Sequence, residues 1–357
     1  MKRTLQTIRR LKLTSSILNR AVKLCESVHF TNYAMLGLGD AFSREIKSVI
    51  AGQKAFRNTE GSAISSGDVY TLRRNTHRLE KGIIMRPRRT VFARDYISET
   101  VKSFQALTAC NKECDTDLMS WSEDVLRTYF SIVPEGSDST IDTSRSIFNE
   151  CTQSAAPSNS LRTPYTRKTN ALPINIDQLT ELAIRRRSCR WYLPKQIPRA
   201  AIDKAMKVAG YSPSACNRQP FRFIFFDNPE EAAEVGQIPM GTKGFAENFP
   251  CFAVIVGSLS AFPSPRDRHV IYIDGALAAM SFQYALEVQG IGSCCINWPD
   301  IRGHEAAIKK RLNLKNHERV VMCMSLGYPD PDGMVPYSQK KPLDELREVR
   351  SNENTSN

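Results

Sequence analysis

At 357 residues the chain exceeds the usual single-domain size, and 41% hydrophobic with 24% charged residues is ordinary globular usage, which excludes wholesale disorder and fibrous repeats. No run approaches the roughly 20 apolar residues of a spanning helix, and the charged start MKRTLQTIRRLKLTSSILNR lacks the apolar core of a secretory signal, so a cytoplasmic protein is expected. The ten cysteines are scattered; neither the Cys110 to Cys114 spacing nor the Cys294-Cys295 pair makes a metal-ligand pattern or a disulfide scaffold, so reduced thiols and no metal are expected.

The formal net charge of +12 is unevenly placed. Residues 1–110 hold 20 Lys+Arg against 8 Asp+Glu, residues 111–170 hold 6 against 9, and the remainder 23 against 20. An excess confined to the first third predicts peripheral contact with an anionic surface, lipid or glycan intermediate; the plainer reading is a solvated basic face. Nucleic acid is not the expected partner, because no recognised motif is present and aromatic interleaving in the basic region is sparse.

In chain order, residues 1–60 form a basic segment in which Met1 to Leu24 can be drawn as a helix with Leu5, Ile8, Leu11 and Ile17 near one face. Residues 61–133 read as a helical region: two stretches separated around Pro87, then LMSWSEDVLRTYFSIV. Residues 134–170 turn Ser/Thr/Pro-rich and read as a linker. Beyond it lies a domain at 171–350, followed by a disordered tail at 351–357.

Within that domain Asp177 can cap a helix over QLTELAIRRR, and Pro198 opens a second over RAAIDKAMKVAG. FRFIFFD, FPCFAVIVGSL and RVVMCMSLGYP are short aromatic and β-branched runs bounded by Pro, Gly and Asp, hence strands. Between the last two lie helices over YIDGALAAMSFQYALEVQG and IRGHEAAIKKRLNL. The order α, α, β, β, α, α, β predicts an α+β (α/β sandwich) domain whose mixed sheet is covered by helices, preceded by a mostly helical region.

Two clusters carry chemistry. Arg185-Arg186-Arg187-Ser188-Cys189-Arg190 ends the first of these helices, and guanidinium forks with a hydroxyl inside one turn can chelate a phosphate; the bland reading is dipole-complementing surface charge. Twenty-odd residues on, Tyr211-Ser212-Pro213-Ser214-Ala215-Cys216-Asn217-Arg218-Gln219-Pro220-Phe221 precedes a strand. Its short polar arms on a loop stiffened by two prolines suit the edge of a heterocycle.

Together these clusters resemble the FMN-dependent nitroreductase family, whose domain opens with a helix ending in Arg-Arg-Ser-x-Arg and continues to Pro-Ser-x-x-Asn-x-Gln-Pro before its first strand. The likeness runs from about Pro173 to Val349 and takes in Asp274-Gly275-Ala276, Gly290-Ile291-Gly292-Ser293-Cys294, Gly327-Tyr328-Pro329 and Lys340-Lys341-Pro342-Leu343. It implies that Arg186, Arg187, Ser188 and Arg190 hold the FMN phosphate and the ribityl or pyrimidine edge, with Lys340 or Lys341 completing the phosphate site. It further implies that Pro213, Ser214, Asn217 and Gln219 reach the isoalloxazine, commonly from the second subunit of a homodimer, and that Asn297 and Trp298 lie along the reactive edge.

The activity so implied is ping-pong hydride transfer from NADH or NADPH through flavin N5 to a small electron-poor acceptor such as a nitro compound or quinone. The flavin carries the chemistry, so no side chain is nominated as catalytic. Alternatives are a flavin-dependent dehydrogenase or oxidase, a dehalogenase, or a membrane-surface or glycan-assembly accessory protein with a flavin platform. Two departures stand out: Trp298 is bulky for its position and is expected to narrow the substrate pocket, and Ser258 to Ile271 is short for this fold. Part of Tyr70 to Phe130 is therefore expected to fold over the pocket or the dimer edge.

Overall fold

The protein is described from a computed structural model that covers residues 40–57, 65–109, 115–152 and 162–350. The helix expected over Met1 to Leu24, the Cys110 to Cys114 stretch and the tail at 351–357 lie outside the described residues.

Helices lead the described chain: α1 Asp40–Arg57, α2 Ser66–Ile83, α3 Ile97–Ala109, α4 Thr116–Ile132 and α5 Ser139–Thr152. Helix α2 starts on a capping box, where the Ser65 hydroxyl accepts from Asp68 N–H at 3.1 Å and the Asp68 carboxylate accepts from Ser65 N–H at 2.9 Å. Asp115 caps α4 by accepting from Asp117 and Leu118 N–H. Their apolar faces bury Leu72, Ile97, Val101, Leu126, Tyr129 and Phe148 in one core.

Helix α5 lies inside the stretch whose composition reads as linker. Its Ser and Thr hydroxyls return to the backbone one turn earlier, as Ser144 does to the Thr140 carbonyl at 2.7 Å, which hides polarity that reads as loop in the sequence. Ile141 and Phe148, two turns apart, then face inward, and Phe148 packs its ring 5.5 Å from Phe104 and 5.4 Å from Phe130.

The second half comprises α6 Ile176–Arg185, α7 Arg199–Gly210, β1 Phe221–Phe226, α8 Pro229–Gly236, β2 Cys251–Ser258, α9 Val270–Glu287, β3 Gly292–Ile296, α10 Arg302–Leu312, β4 Glu318–Gly327 and the single turn α11 Leu343–Leu346. The strands form an antiparallel sheet in the order β1-β2-β4-β3. The combination of helices and a helix-covered sheet is as expected, but the four strands pair antiparallel throughout where a mixed sheet was expected. Three elements go beyond the sequence reading: α8 is brief and rests on an Asn228 cap with Pro229 at its start, β3, GSCCI, is too short and small-residued to show alternation, and α11 is one turn.

Strand β2 shows why this sheet is covered on both faces. Phe252, Val254 and Val256 point into a core shared with Ala232 and Val235 of α8 and Ile308 of α10. Cys251, Ala253 and Ile255 point the other way, against α7 and α9. A strand buried on both sides reads as a continuous apolar run, which is what CFAVIVGS is.

The helical half docks on the sheet half. Helix α1 lies so close to the turn at Leu259–Ala261 that a Cβ on Gly52 would sit 2.7 Å from the Leu259 carbonyl oxygen. Arg44 of α1 donates to Asp300 at 2.9 Å, and Asp300 also accepts from the buried Arg319 at 2.9 Å. Helix α2 packs on the turn at Ala215–Asn217 and on Leu259–Ala261. Among the described residues no helix is long and apolar enough to cross a membrane.

Because Phe148 joins α5 to the helical core, Phe148→Ala is expected to destabilise that half by about 3–5 kcal/mol. Trp121, which packs against this core, reports the loss in a denaturant titration. A neutral substitution would mean that residues 139–152 are an undocked linker.

Candidate functional site

The arginine turn is built where α6 stops. Arg186 leaves the helix with ψ at 107°, and the chain then runs beside β3: Cys189 N–H donates to the Ser293 carbonyl at 3.0 Å, and Ser188 bridges Ser293. Gly292 permits this approach, since a Cβ there would lie 2.9 Å from Pro329 and 3.1 Å from the Cys189 Cβ. Tyr192 anchors the far end, its buried hydroxyl donating to the Cys189 carbonyl at 2.6 Å and pairing with the Ser325 hydroxyl at 2.9 Å.

The four arginines of the turn divide by partner. Arg185 is spent on an exposed ion pair with Glu287 at 3.2 Å. Arg186, Arg187 and Arg190 take part in no ion pair among the described residues, and the Arg186 Nε is buried without a hydrogen-bond partner. Arg187 donates to the carbonyls of Pro336 at 2.6 Å and of Tyr337, while Arg190 donates to the Ser188 carbonyl at 3.3 Å and lies over the Phe245 ring. Burial pushes the neighbouring Cys294 thiol up, opposed by Arg190, Ser188 and Arg186, which places those three beside the same strand.

The second cluster is a loop held in an unusual backbone. Cys216, Asn217 and Gln219 all adopt left-handed conformations, with φ of 54°, 53° and 51°. Asn tolerates this, but Cys and Gln do so at a cost of order 1 kcal/mol each, and such strain persists only where surroundings enforce it. Here Ala215 N–H donates to both carboxylate oxygens of the buried Asp274, at 3.2 and 3.1 Å, and Gln219 N–H donates to the Ser214 hydroxyl at 3.1 Å. The Gln219 amide donates to Asn217 Oδ1 at 2.8 Å, which leaves the Asn217 NH2 as a donor without a hydrogen bond among the described residues. Pro213 is exposed, Ser214 half-buried.

The remaining predicted residues separate. Asn297 is exposed just after β3. Trp298 turns into the core, its indole N–H donating to Glu305 at 2.6 Å, so its bulk fills the domain interior rather than an open pocket. Lys340 and Lys341 are exposed; Lys341 pairs with Glu345 at 3.2 Å, and the carbonyls accepting from Arg187 lie three to five residues before them.

Within one chain the two clusters lie apart. The arginine turn flanks β3, one edge of the sheet, whereas the Asn217 loop leads into β1, the other edge. Along α9 the loop is tied to Asp274 and the arginine turn to Glu287, thirteen residues or about 20 Å further on. A cleft of about 1000 Å³ between Tyr192, Pro198, Asp227 and Asn248 is lined by none of the predicted residues.

Two participants were passed over in the sequence. Arg218 sits inside the quoted motif; it is buried, its Nε has no partner, and it lies 5.1 Å from the Phe262 ring centre. Burial lowers its basicity, with Arg74 of α2 adding to the effect and Asp267 opposing it. Asp274 is the loop's anchor, and burial raises its pKa against the Ala215 N–H and Arg218. An alternating basic and polar loop gave no signal that its arginine would turn inward.

The nitroreductase family model matches residues 183–243 and 238–328. Iodotyrosine deiodinase 1 of Pongo abelii is 22% identical over 192 residues, covering 46% of this chain and 66% of that protein, just short of two thirds of its length. Iodotyrosine deiodinase of Thermotoga neapolitana is 24% identical over 176 residues, 43% of this chain and 89% of that protein. Among solved structures, a nitroreductase family protein from Streptococcus pneumoniae TIGR4 superposes with a TM-score of 0.42 at 20% identity, over 48% of this chain and 100% of that one. An FMN-dependent nitroreductase from Clostridium difficile R20291 does so with a TM-score of 0.40 at 24% identity, over 48% and 97%. The C-terminal half of the chain is thus similar to the nitroreductase family, whose model it matches over residues 183–328.

Asp274 generates a pH prediction. A carboxyl whose folded pKa is raised gives up stability as pH climbs from the unfolded value through the folded one, because the folded state prefers the proton. Asp274→Asn keeps an acceptor for Ala215 and removes that penalty, so the melting-temperature advantage of the variant over the wild type should widen as pH rises from about 4 toward neutrality. Parallel melting curves across that range would show the anchor to be indifferent to its charge.

Proposed function

We propose that this protein is an FMN-dependent oxidoreductase whose site is built by two copies of the chain, with NADH or NADPH as donor and a small electron-poor organic molecule as acceptor. The observation that carries the reading is the set of three guanidinium groups, Arg186, Arg187 and Arg190, without carboxylate partners beside Ser188, one of them with a buried, unpartnered Nε. Such a set is costly to leave unfilled and matches a phosphate monoester dianion, whose oxygens accept from planar forks. Lys340 and Lys341 would add positive charge from the tail that Arg187 holds.

When bound, FMN supplies two-electron transfer between nicotinamide and acceptor. The chain binds the phosphate at the arginine turn and presents Pro213, Ser214, Asn217 and Gln219 to the ring edge. Asn297 is exposed just after β3, the strand that the turn flanks. Trp298 fixes the backbone of that loop from below.

Since about 20 Å of α9 separates the clusters, the loop is proposed to come from the second subunit. The bare face of α9 supports this. Ile273, Leu277, Met280, Tyr284 and Val288 recur at helical spacing, and Ile273, Leu277 and Val288 are 57%, 42% and 72% exposed. Ile176, Leu179 and Ile184 of the adjoining α6 are exposed too. Antiparallel pairing of two α9 helices about a two-fold axis sets the Asp274 end of one beside the Glu287 end of the other, which closes two identical sites. Helix α2, resting on the Ala215–Asn217 turn, then stands at the rim and is suited to shape access for the acceptor.

A second reading is favoured by the similarity to iodotyrosine deiodinases: reductive removal of halide from an aromatic substrate, two electrons and a proton replacing the carbon–halogen bond with C–H and halide. Halide release against consumption of a nitroaromatic or quinone separates the two.

Purified protein should show the visible absorption of flavin and bleach anaerobically with NADH or NADPH. Arg186→Ala should bind FMN about ten- to a hundredfold more weakly, the worth of one charge-assisted contact. Leu277→Arg should elute as a monomer and lose FMN although every arginine remains. Protein that stays colourless in excess FMN would contradict the assignment, and a monomer that retains FMN would contradict the shared site.

A further inference from the structure

The loop joining α2 to α3 is an exposed concentration of positive charge that the proposed site does not use. From Lys81 to Arg94, KGIIMRPRRTVFAR, there are five basic residues and no acidic one. Arg94 pairs with Asp138 at 2.9 Å. Lys81, Arg86, Arg88 and Arg89 form no ion pair among the described residues, and every residue from Ile84 to Thr90 is exposed. At the tip, amid these cations, Ile84 and Met85 stand 59% and 56% exposed.

The loop's base is tightly fixed. Ile84 N–H donates to the Glu80 carbonyl at 3.1 Å, and Gly82 lies under Phe92 so closely that a Cβ would be 2.4 Å from the ring. The Phe92 carbonyl accepts from the Tyr129 hydroxyl at 2.7 Å, with the two rings edge to face at 5.0 Å. Glu80, which precedes Lys81, is turned inward to the Trp121 indole N–H at 3.0 Å. Two aliphatic side chains are therefore held out of the core by a rigid stem, although burying them would be favourable.

We propose that this loop docks on an anionic bilayer surface, Ile84 and Met85 entering the interfacial region while Lys81, Arg86, Arg88 and Arg89 meet acidic headgroups. The pairing of aliphatic tip and cationic collar favours lipid over nucleic acid, which would call for stacking aromatics that the exposed tip does not have. It also gives a structural address to part of the charge excess of the first third of the chain. This inference is independent of the flavin reading, because the loop contributes nothing to either cluster.

The test is sedimentation of the full chain with vesicles of phosphatidylcholine alone or mixed with phosphatidylserine. Each basic residue at such a surface is worth about fivefold in partitioning, so the triple variant Arg86→Gln, Arg88→Gln, Arg89→Gln should bind the mixed vesicles about a hundredfold more weakly. Ile84→Ser with Met85→Ser should weaken binding as well, and high ionic strength should abolish it. These substitutions fall on exposed positions, and unchanged circular dichroism and thermal melting confirm the fold. Equal binding to phosphatidylcholine alone, retention by the triple variant, or binding indifferent to the Ile84 and Met85 changes and displaced by duplex nucleic acid would each overturn the proposal.

Discussion

Helix α9 sets the terms for the rest of the second half. It is apolar around nearly its whole circumference, yet among the described residues the sheet covers the side that carries Ala278, Phe282 and Leu286. A helix hydrophobic all round is stable in water only when every face is buried. The exposed Ile273, Leu277 and Val288 call for cover, and the proposed dimer meets that demand with a second α9. That demand links burial to function, because the two candidate clusters hang from opposite ends of this helix.

Charge and strain then fall where a shared ligand would relieve them. At the Glu287 end, guanidinium groups stand without carboxylates, and at the Asp274 end three residues hold left-handed backbone under hydrogen bonds to a buried carboxylate. Neither arrangement is explained by folding one chain, since an apolar turn and a relaxed loop would cost less. In the proposed dimer each cluster faces the other, and a phosphate at one end with a heterocycle at the other is the ligand shape that satisfies both. The helical first half, wedged by Gly52 and Arg44 against the sheet domain, holds α2 on the strained loop.

Much of this was legible in the sequence because it is written in local pattern. The doubly buried β2 reads as an apolar run, and the arginine turn and the Pro-rich loop are contiguous motifs. What escaped is what depends on partners distant in the chain. Helix α5 hides its polarity by bonding Ser and Thr back to its own carbonyls, so its composition reads as linker. Strand β3 is recognisable only by its ladder with β4, and Trp298 looks like a pocket residue until Glu305 and the core claim it. Arg218 is buried by α2 and Phe262, elements far away in sequence, and no periodicity announces that.

The central claim is that one flavin is held by arginines of one subunit and the Asn217 loop of its partner. Mixing tests it directly: subunits carrying Arg186→Ala and Arg190→Ala are combined with subunits carrying Asn217→Ala, and tight FMN binding is titrated. A shared site predicts that the mixed dimer regains one full-affinity FMN for every two chains, since one of its sites then draws both halves from unaltered residues. If mixed dimers bind no better than either parent, each site lies within a single chain and the account fails.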